Sequence, residues 1–339
     1  MSFHDIYGHE KKIEIIKKTL AQKRVGHAYL FSGIQAIGKK ILAREFVKAL
    51  NCEKGDMLHD SCGECSSCRK IQKGGHPDVF SVEADGQFIR IDAIREIQEQ
   101  MKCKPLEARR RAFIIDDADK MNDQAANALL KVLEEPSSAN ILILVTARPY
   151  SMPSTIISRC QHMRFNPLRF DTVAKFLVDR EDMDSQSALL LAGLSGGSIG
   201  RAVELNKDDI VAYRAALLQL FSTTRSNDLF SLINFASFLG QGKKEVKQGL
   251  NILNAFFRDV LVFKETQKEE MLINQDNSSF ISNHAARLSG EQILQNIALV
   301  EKAEKIMEQN VNKSLTLETM AFKLNYSESQ ISEAKRAEI

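Results

Sequence analysis

The strongest constraint on the fold is a predicted strand, a glycine loop and a helix that follow one another directly. The apolar run 28–32 has the length and composition of a buried strand, and the next residues, GIQAIGK, place Gly33, Gly38 and Lys39 in the spacing G-x-x-x-x-G-K. In this context the backbone N–H groups of the loop surround phosphate oxygens, and the lysine reaches the outer phosphates. We therefore predict a phosphate-binding loop; the alternative is a chance glycine turn.

Short apolar runs alternate with helical patterns through the first half of the chain. Three more strands are predicted at 79–82, 111–116 and 141–146, and the last reads ILILVT, as in a strand buried on both faces. This alternation predicts an α/β fold in which a parallel sheet carries helices on both faces.

The β pattern ends near residue 167. The sequence beyond it reads as helix, interrupted by the glycine-containing stretches LSGGSIG and LGQGKK. We predict an α/β domain over 1–166, a small helical domain over 167–206, a larger helical domain over 207–326 and a polar tail over 327–339. With 44% hydrophobic residues, a chain of 339 residues can bury a separate hydrophobic core in each of these three domains.

Two positions in the predicted phosphate site differ from a hydrolytic pattern. A Ser or Thr normally follows the loop lysine and binds Mg²⁺ through its hydroxyl, but here the residue is Lys40, a positively charged donor that repels the metal. Asp116 ends the third predicted strand, where a carboxylate holds the metal in such sites, and Asp117 follows it. An alternative role for Asp117 and Asp119 is to cap the helix that begins near Asn122.

Four of the six cysteines crowd into one short segment. Cys52, Cys62, Cys65 and Cys68 have the spacing C-x9-C-x2-C-x2-C, which lets one small knuckle close a tetrahedron around zinc. Four thiolates leave no open coordination position, so we predict a structural Zn²⁺ in an insert over 52–68. A catalytic zinc and a redox role for the C-x2-C pairs are the alternatives. The other two cysteines are predicted to be unligated.

Four motifs occur in the order and spacing found in one protein family. They are AIGKK in the loop, FIIDDADKM at the acidic strand end, LLKVLEEP in the next helix, and IISRC, which contains Arg159. With these motifs the chain resembles the delta-prime subunits of bacterial DNA polymerase III clamp loaders, members of the AAA+ superfamily. The resemblance runs by motif from about residue 3 to residue 204, and beyond that by length and helical character.

The resemblance implies an assembly and a role for each site residue. It implies an AAA+ domain with a zinc knuckle, a helical lid, and a collar domain that holds five subunits in a ring. Arg159, taken alone an ordinary helix-end cation, would act in trans as an arginine finger on ATP in the adjacent motor subunit. The nucleotide site is degenerate because of Lys40 and Asp117. The implied cofactor-binding residues are Gly33, Gly38, Lys39 and Asp116.

Departures from the active-motor pattern favour a subunit that does not hydrolyse ATP. Lys40 replaces the metal-binding hydroxyl, and Asp117 replaces a Glu whose carboxylate reaches one methylene further; a displacement of about an ångström can cost ~100-fold in rate. Gly200 stands where the lid of a motor subunit places a sensor arginine, with Arg201 one residue out of register. Whether Thr146 serves as the polar sensor stays open.

The predicted function is that of a stator, which lends Arg159 to a neighbouring ATPase and helps load a sliding clamp onto primed DNA. The implied partners are the motor (gamma/tau) and delta subunits, with the clamp and primer-template DNA reached through the complex. The alternative is an active motor subunit resembling gamma/tau, since Lys39 and Asp116 are retained. ATP binding without hydrolysis stays open.

Net charge and hydropathy argue against a free-standing DNA-binding protein and against a membrane protein. With 46 basic and 44 acidic residues, the net charge of +2 offers no broad basic surface for a free-standing DNA-binding protein. The sequence shows no signal peptide and no apolar run of the ~18 residues that a membrane span needs. We expect a cytoplasmic protein without a membrane partner.

Overall fold

The computed structural model describes residues 2–54, 60–84, 86, 88–224, 228–307 and 312–324. The chain forms two compact units. Unit 1 comprises Met1–Arg180 and Gly196–Arg201, and unit 2 comprises Glu181–Ser195 and Ala202–Ile339. The domain boundaries at 166 and 206 stay predictions, and the predicted tail over 327–339 lies outside the described residues.

Unit 1 is built around a parallel sheet, with five strands in the described part of the chain. Their order across the sheet is β2-β3-β4-β1-β5, and every neighbouring pair is parallel. The α/β class is confirmed, and the four predicted strands occur to within one residue at each end; β5 is not predicted. The strands are β1 (Ala28–Ser32), β2 (Val79–Val82), β3 (Arg111–Ile115), β4 (Asn140–Thr146) and β5 (Gln161–Arg164).

Helices cover both faces of this sheet. Side chains alternate between the faces along each strand, so neighbouring residues of β1 pack against different helices. Leu30 lies in a buried cluster with α4 and α5, whereas the ring of Tyr29 contacts Phe46 of α2 at a centroid distance of 5.2 Å. The helices of unit 1 are α1 (Glu10–Ala21), α2 (Lys39–Asn51), α3 (Ser66–Gln72), α4 (Ile91–Lys102), α5 (Asp123–Glu134), α6 (Ser154–Ile157) and α7 (Phe170–Glu181), whose last residue belongs to unit 2.

Asp78, just before β2, fixes the chain that joins α4 to β3. Its fully buried carboxylate accepts hydrogen bonds from the backbone N–H groups of Leu106, Glu107 and Ala108, at 2.7–2.9 Å, and from the Arg111 guanidinium at 2.8 Å. Burial raises the pKa of Asp78, but these donors outweigh burial and lower the pKa to about 2. The ionised carboxylate therefore stabilises the folded state.

We expect unit 1 to lose stability in acid as Asp78 becomes protonated. Because the folded-state pKa lies below the unfolded value of ~3.9, the stabilisation is complete above pH ~4 and is lost as the pH falls towards 2; a shift of this size contributes about 2–3 kcal/mol. Asp78→Asn should remove this part of the pH dependence, as measured by urea unfolding across the acid range. Asp123→Asn, at the exposed start of α5, is the control, and equal slopes for wild type and Asp78→Asn would contradict the prediction.

The regular secondary structure of unit 2, in its described residues, is helical. The long helix α12 packs against α10, α11, α13 and α14. Phe256 on α12 contacts Phe221 of α10 and Phe280 of α13, at centroid distances of 5.7 and 5.1 Å, so an aromatic cluster joins three helices. The helices are α8 (Ser185–Leu194), α9 (Ile199–Lys207), which begins in unit 1, α10 (Ile210–Thr223), α11 (Leu229–Leu239), α12 (Lys243–Thr266), α13 (Ser278–Arg287), α14 (Gly290–Met307) and α15 (Lys313–Leu324).

No single helix in the described ranges is both long and apolar enough to cross a membrane. The consecutive helices α8 and α9 pass the length and composition test only when taken together, as a bent pair.

Candidate functional site

The predicted phosphate loop joins β1 to α2, at the edge where the parallel strands end. Gly33 lies so close to the backbone that an added Cβ would be 2.4 Å from the carbonyl oxygen of Phe165. Gly38 precedes the first turn of α2 with a φ of 102°, a conformation that favours glycine. The loop thus has the tight turn onto a helix N-terminus that is typical of phosphate binding.

Lys39, the first residue of α2, folds its side chain back into the loop. Its Nζ donates to the carbonyl oxygens of Gly33 and Ile34, at 2.6 and 2.7 Å, and the residue is only 6% exposed. Burial lowers the pKa of this ammonium, while the carboxylates of Asp116 and Asp117 oppose the shift. The Lys39 ammonium, which would face a phosphate, is therefore positioned by carbonyl groups of the loop backbone.

Lys40 places its ammonium between two carboxylates. Its Nζ donates to Oε1 of Glu83 and lies 3.1 Å from Oδ2 of Asp116. Burial lowers the pKa of Lys40, but the hydrogen bonds to Glu83 and Asp116 outweigh burial, and the pKa is raised. A protonated ammonium is thus the charge partner of Asp116, the carboxylate that the sequence predicts to hold a metal.

The other acidic residues after β3 also have partners. Asp117 accepts a hydrogen bond from Nζ of Lys120 at 2.7 Å, and Asp119 accepts one from the hydroxyl of the fully buried Thr146 at 2.6 Å. Helix α5 is capped by Asn122, whose side chain accepts a backbone N–H of the first turn. The helix-capping alternative for Asp117 and Asp119 is therefore wrong.

The segment Gly196–Arg201 packs against the phosphate loop within unit 1. The hydroxyl of Ser198 donates to the carbonyl of Gln35 at 2.9 Å, and the N–H of Gly200 donates to the carbonyl of Ala36 at 3.0 Å. A Cβ at Gly200 would lie 2.8 Å from the Cβ of Ala36. Position 200, where the resemblance implies a sensor arginine, therefore has no room for a side chain unless the loop moves.

The four clustered cysteines converge on one point. The Sγ atoms of Cys52, Cys62, Cys65 and Cys68 all lie within 4.8 Å of one another, and Cys52, Cys65 and Cys68 are buried. In a tetrahedral site with Zn–S bonds of about 2.3 Å, sulfur atoms lie roughly 3.8 Å apart. The cluster could therefore hold one metal ion after a small adjustment of the side chains.

Backbone N–H groups point at these sulfur atoms. The N–H of Cys62 lies 3.4 Å from Sγ of Cys52, and the N–H groups of Cys65 and Glu64 lie 3.3 and 3.5 Å from Sγ of Cys62. Burial raises the pKa of Cys62, but these two donors outweigh burial and lower it to about 6. The fold therefore favours a thiolate, the form in which cysteine binds metals, at Cys62, whereas burial raises the pKa of Cys52 and Cys68.

The remaining cysteines lie outside the cluster. Cys103 is exposed, and Cys160 is half-buried, with a pKa that burial raises to about 12. In the part of the chain that the structure describes, no second group of three or more cysteine, histidine or acidic side chains is arranged to hold a metal.

Arg159 lies at the surface, two residues beyond the end of α6. Its Nη1 donates to the carbonyl of Thr155 at 3.0 Å, and its Nη2 donates to Oε1 of Glu134 at 2.9 Å. The side chains of Arg159 and Glu134 are 38% and 51% exposed. The structure thus leaves the guanidinium accessible but paired with α5 and α6.

The predicted site residues fall into three places. Gly33, Gly38, Lys39, Lys40 and Asp116 meet at the end of the sheet, the cysteines form their own cluster, and Arg159 stands apart with Glu134. Sequence reasoning missed the contacts made by Glu83 and Glu134. The available signal for Glu83 is its position directly after β2, because acidic side chains at the ends of neighbouring parallel strands share one edge.

Comparisons with known proteins find relatives over most of the chain. Family models described as "DNA polymerase III, delta subunit" and "DNA polymerase III, delta subunit, C terminal" match residues 8–169 and 209–325. The delta′ subunit of DNA polymerase III from Bacillus subtilis is 32% identical over 317 residues, which cover 92% of this chain and 94% of that protein.

Other relatives are tau and gamma subunits of DNA polymerase III. The tau subunit of DNA polymerase III from Bacillus subtilis is 31% identical over 285 residues, so the match covers 77% of this chain but only 50% of tau. The solved structure of a DNA polymerase III gamma subunit-related protein from Thermotoga maritima covers 92% of this chain and is itself covered to 98%, at 18% identity and a TM-score of 0.42. The chain belongs to the delta-prime family of DNA polymerase III subunits.

Proposed function

We propose that this chain is a stator, a subunit of the replicative clamp loader that does not hydrolyse ATP. It supplies Arg159 in trans to a neighbouring ATPase subunit and helps load the sliding clamp onto primed DNA. The observation that carries the proposal is the ammonium of Lys40, 3.1 Å from Asp116. Because this cation neutralises the carboxylate and repels a second cation, the loop should bind poorly the Mg²⁺ that phosphoryl transfer requires.

Two further contacts support a site without turnover. Asp117, which stands in for the catalytic Glu of active motors, is already paired with Lys120 at 2.7 Å, so its carboxylate is not free to polarise a water molecule. At Gly200 the loop leaves no space for a sensor arginine. Three parts of the hydrolytic apparatus are thus altered in the same direction.

The test compares ATP hydrolysis by the isolated chain and by the reconstituted loader. The isolated chain should show no turnover, whereas omission of the chain from the loader should reduce both ATPase and clamp loading. Turnover by the isolated chain that Lys39→Ala abolishes would instead support the alternative, an active motor subunit resembling gamma/tau.

Replacing Lys40 by threonine should give the loop a Mg²⁺-dependent affinity for ATP. The change removes a positive charge beside Asp116 and supplies the hydroxyl that binds Mg²⁺. Removal of one such repulsion is worth ~1–4 kcal/mol, or about fivefold to just under a thousandfold in affinity. Binding of a fluorescent ATP analogue, with and without Mg²⁺, measures the gain.

The matched control for this gain is the double variant Lys40→Thr/Asp116→Asn. It has the new hydroxyl but lacks the carboxylate, so the Mg²⁺-dependent part of the affinity should disappear. If the single variant binds the analogue equally well with and without Mg²⁺, the assignment of Lys40 as the residue that excludes the metal fails.

The remaining parts of the proposal concern structure and partners. The cysteine cluster holds a structural Zn²⁺, which closes the insert over 52–68. The α/β domain over 1–166 and the lid over 167–206 form the AAA+ part, and the domain over 207–326 is the collar that binds the motor (gamma/tau) and delta subunits. Clamp and primer-template DNA are contacted through the complex, which works in the cytoplasm.

A further inference from the structure

The ion pair between Arg159 and Glu134 suggests how the proposed arginine finger is kept at rest. We propose that Glu134 is a positioning residue that latches Arg159 against its own chain, and that a phosphate on the adjacent subunit opens the latch by replacing the Glu134 carboxylate. This inference rests on the proposed trans role of Arg159 and adds the residue that controls it.

The two hydrogen bonds of Arg159 turn its guanidinium back towards unit 1. One goes to the carbonyl of Thr155, four residues earlier, and the other to Oε1 of Glu134, the last residue of α5. Anchors on two different helices fix both the position and the plane of the guanidinium. To reach a phosphate on another chain, the side chain has to give up the bond to Glu134.

The charge of Glu134 is a second reason why Arg159 has to leave it before acting on a phosphate. A finger stabilises negative charge on a transferring phosphoryl group through its own positive charge. While Glu134 lies 2.9 Å away, its carboxylate compensates that charge. Arg159 therefore acts at full strength only after the two side chains separate.

The exposure of the pair makes the exchange feasible. The two side chains are 38% and 51% exposed, so water screens their attraction, and exposed ion pairs of this kind are weak. A phosphate offers more negative charge and a bidentate geometry that matches the guanidinium fork. The latch is thus strong enough to bias a resting orientation and weak enough for a phosphate to displace it.

The next residue provides a matched control. Glu135 carries the same charge and is exposed, and the hydrogen bond recorded for it is a backbone one, from its N–H to the carbonyl of Lys131. A general effect of removing negative charge near a nucleotide should appear equally in Glu134→Gln and Glu135→Gln. An effect transmitted through Arg159 should appear only in Glu134→Gln.

The experiment uses the reconstituted clamp loader with Glu134→Gln, Glu135→Gln, Arg159→Ala and the double variant Glu134→Gln/Arg159→Ala. Glu134→Gln should raise kcat/KM for ATP about two- to fivefold at low salt, the range that exposed ion pairs allow. The gain should shrink as salt screens the pair. Glu135→Gln should match wild type, and Glu134→Gln should have no effect once Arg159 is alanine.

A second readout tests the latch in the isolated chain, without a neighbour. Phenylglyoxal should modify Arg159 faster in Glu134→Gln than in wild type or Glu135→Gln, as measured by peptide mass spectrometry. Equal rates would overturn the latch, as would an unchanged or lower kcat/KM in Glu134→Gln when Arg159→Ala is impaired. If Arg159→Ala leaves the ATPase unchanged, the proposed finger role fails, and with it the release by phosphate.

Discussion

Replacing Arg159 by alanine should lower ATP hydrolysis by up to ~10³-fold at the one site that this chain serves, because the loss of an arginine finger leaves the charge of the transferring phosphoryl group uncompensated. The fold should tolerate the change. Arg159 is 38% exposed, and its bonds go to the Thr155 carbonyl and the exposed carboxylate of Glu134. The rate of the whole complex should fall less, because in the proposed assembly the other ATP sites receive their fingers from other subunits.

Two variants separate this role from a general charge effect. Arg159→Lys keeps the positive charge but not the planar fork, so it should recover only part of the activity. Arg169→Ala removes another exposed arginine that is paired with a carboxylate, Asp171, at 3.0 Å, and should leave the ATPase intact. The measurements are steady-state ATPase and clamp loading, together with gel filtration to verify assembly. A fully assembled Arg159→Ala complex with wild-type ATPase would refute the finger.

Much of the sheet was predictable because buried parallel strands have a strong signature. Strands β1, β3 and β4 are buried along their whole length, and their sequences are almost entirely apolar. Within the described residues, strand β5, with the sequence QHMR, pairs only with β1 and buries one of its four residues, Met163. An edge strand with so little buried surface has no apolar run in its sequence. It could not be predicted because it is defined by its pairing with β1.

The sequence predicts the individual site residues but not the side chains with which they pair. The motifs located Lys40, Asp116 and Arg159, because local order along the chain defines them. Their partners depend on contacts that are distant in sequence: Glu83 lies 43 residues from Lys40, and Glu134 lies 25 residues from Arg159. Only the folded chain shows that Nζ of Lys40 lies 3.1 Å from Asp116, the contact on which the proposed lack of turnover rests.

The cysteine insert is tied to the rest of unit 1 at two points. The N–H of Phe3, a buried residue, donates to Oδ1 of Asp60 at 3.2 Å. The hydroxyl of Ser61 donates to Glu45 at 3.3 Å, and Glu45 forms a fully buried ion pair with Lys48, 2.8 Å away, on α2. The insert thus holds the N-terminal segment in place and covers the buried Glu45–Lys48 ion pair. Breaking such a pair is destabilising because one charge is then left buried without a partner.

Removal of the metal should therefore affect more than the insert. Structural zinc contributes ~10–16 kcal/mol of apparent binding free energy in small zinc-finger peptides, and binding of this kind is coupled to folding. We expect one equivalent of zinc per chain by elemental analysis. Chelation, or Cys68→Ser, should lower the Tm of unit 1 and speed hydrogen exchange in 60–72 and in the N-terminal segment around Phe3.

Two controls locate this effect. Helix α12 in unit 2 should keep its exchange rates, which serves as an internal reference, and Cys103→Ser should bind zinc and melt like wild type because Cys103 is exposed and lies outside the cluster. Exchange that rises in 60–72 but not around Phe3 would mean that Asp60 does not transmit the loss of metal. A metal-free chain with the Tm and exchange rates of wild type would show that the four thiols, although within 4.8 Å of one another, are held together by packing alone.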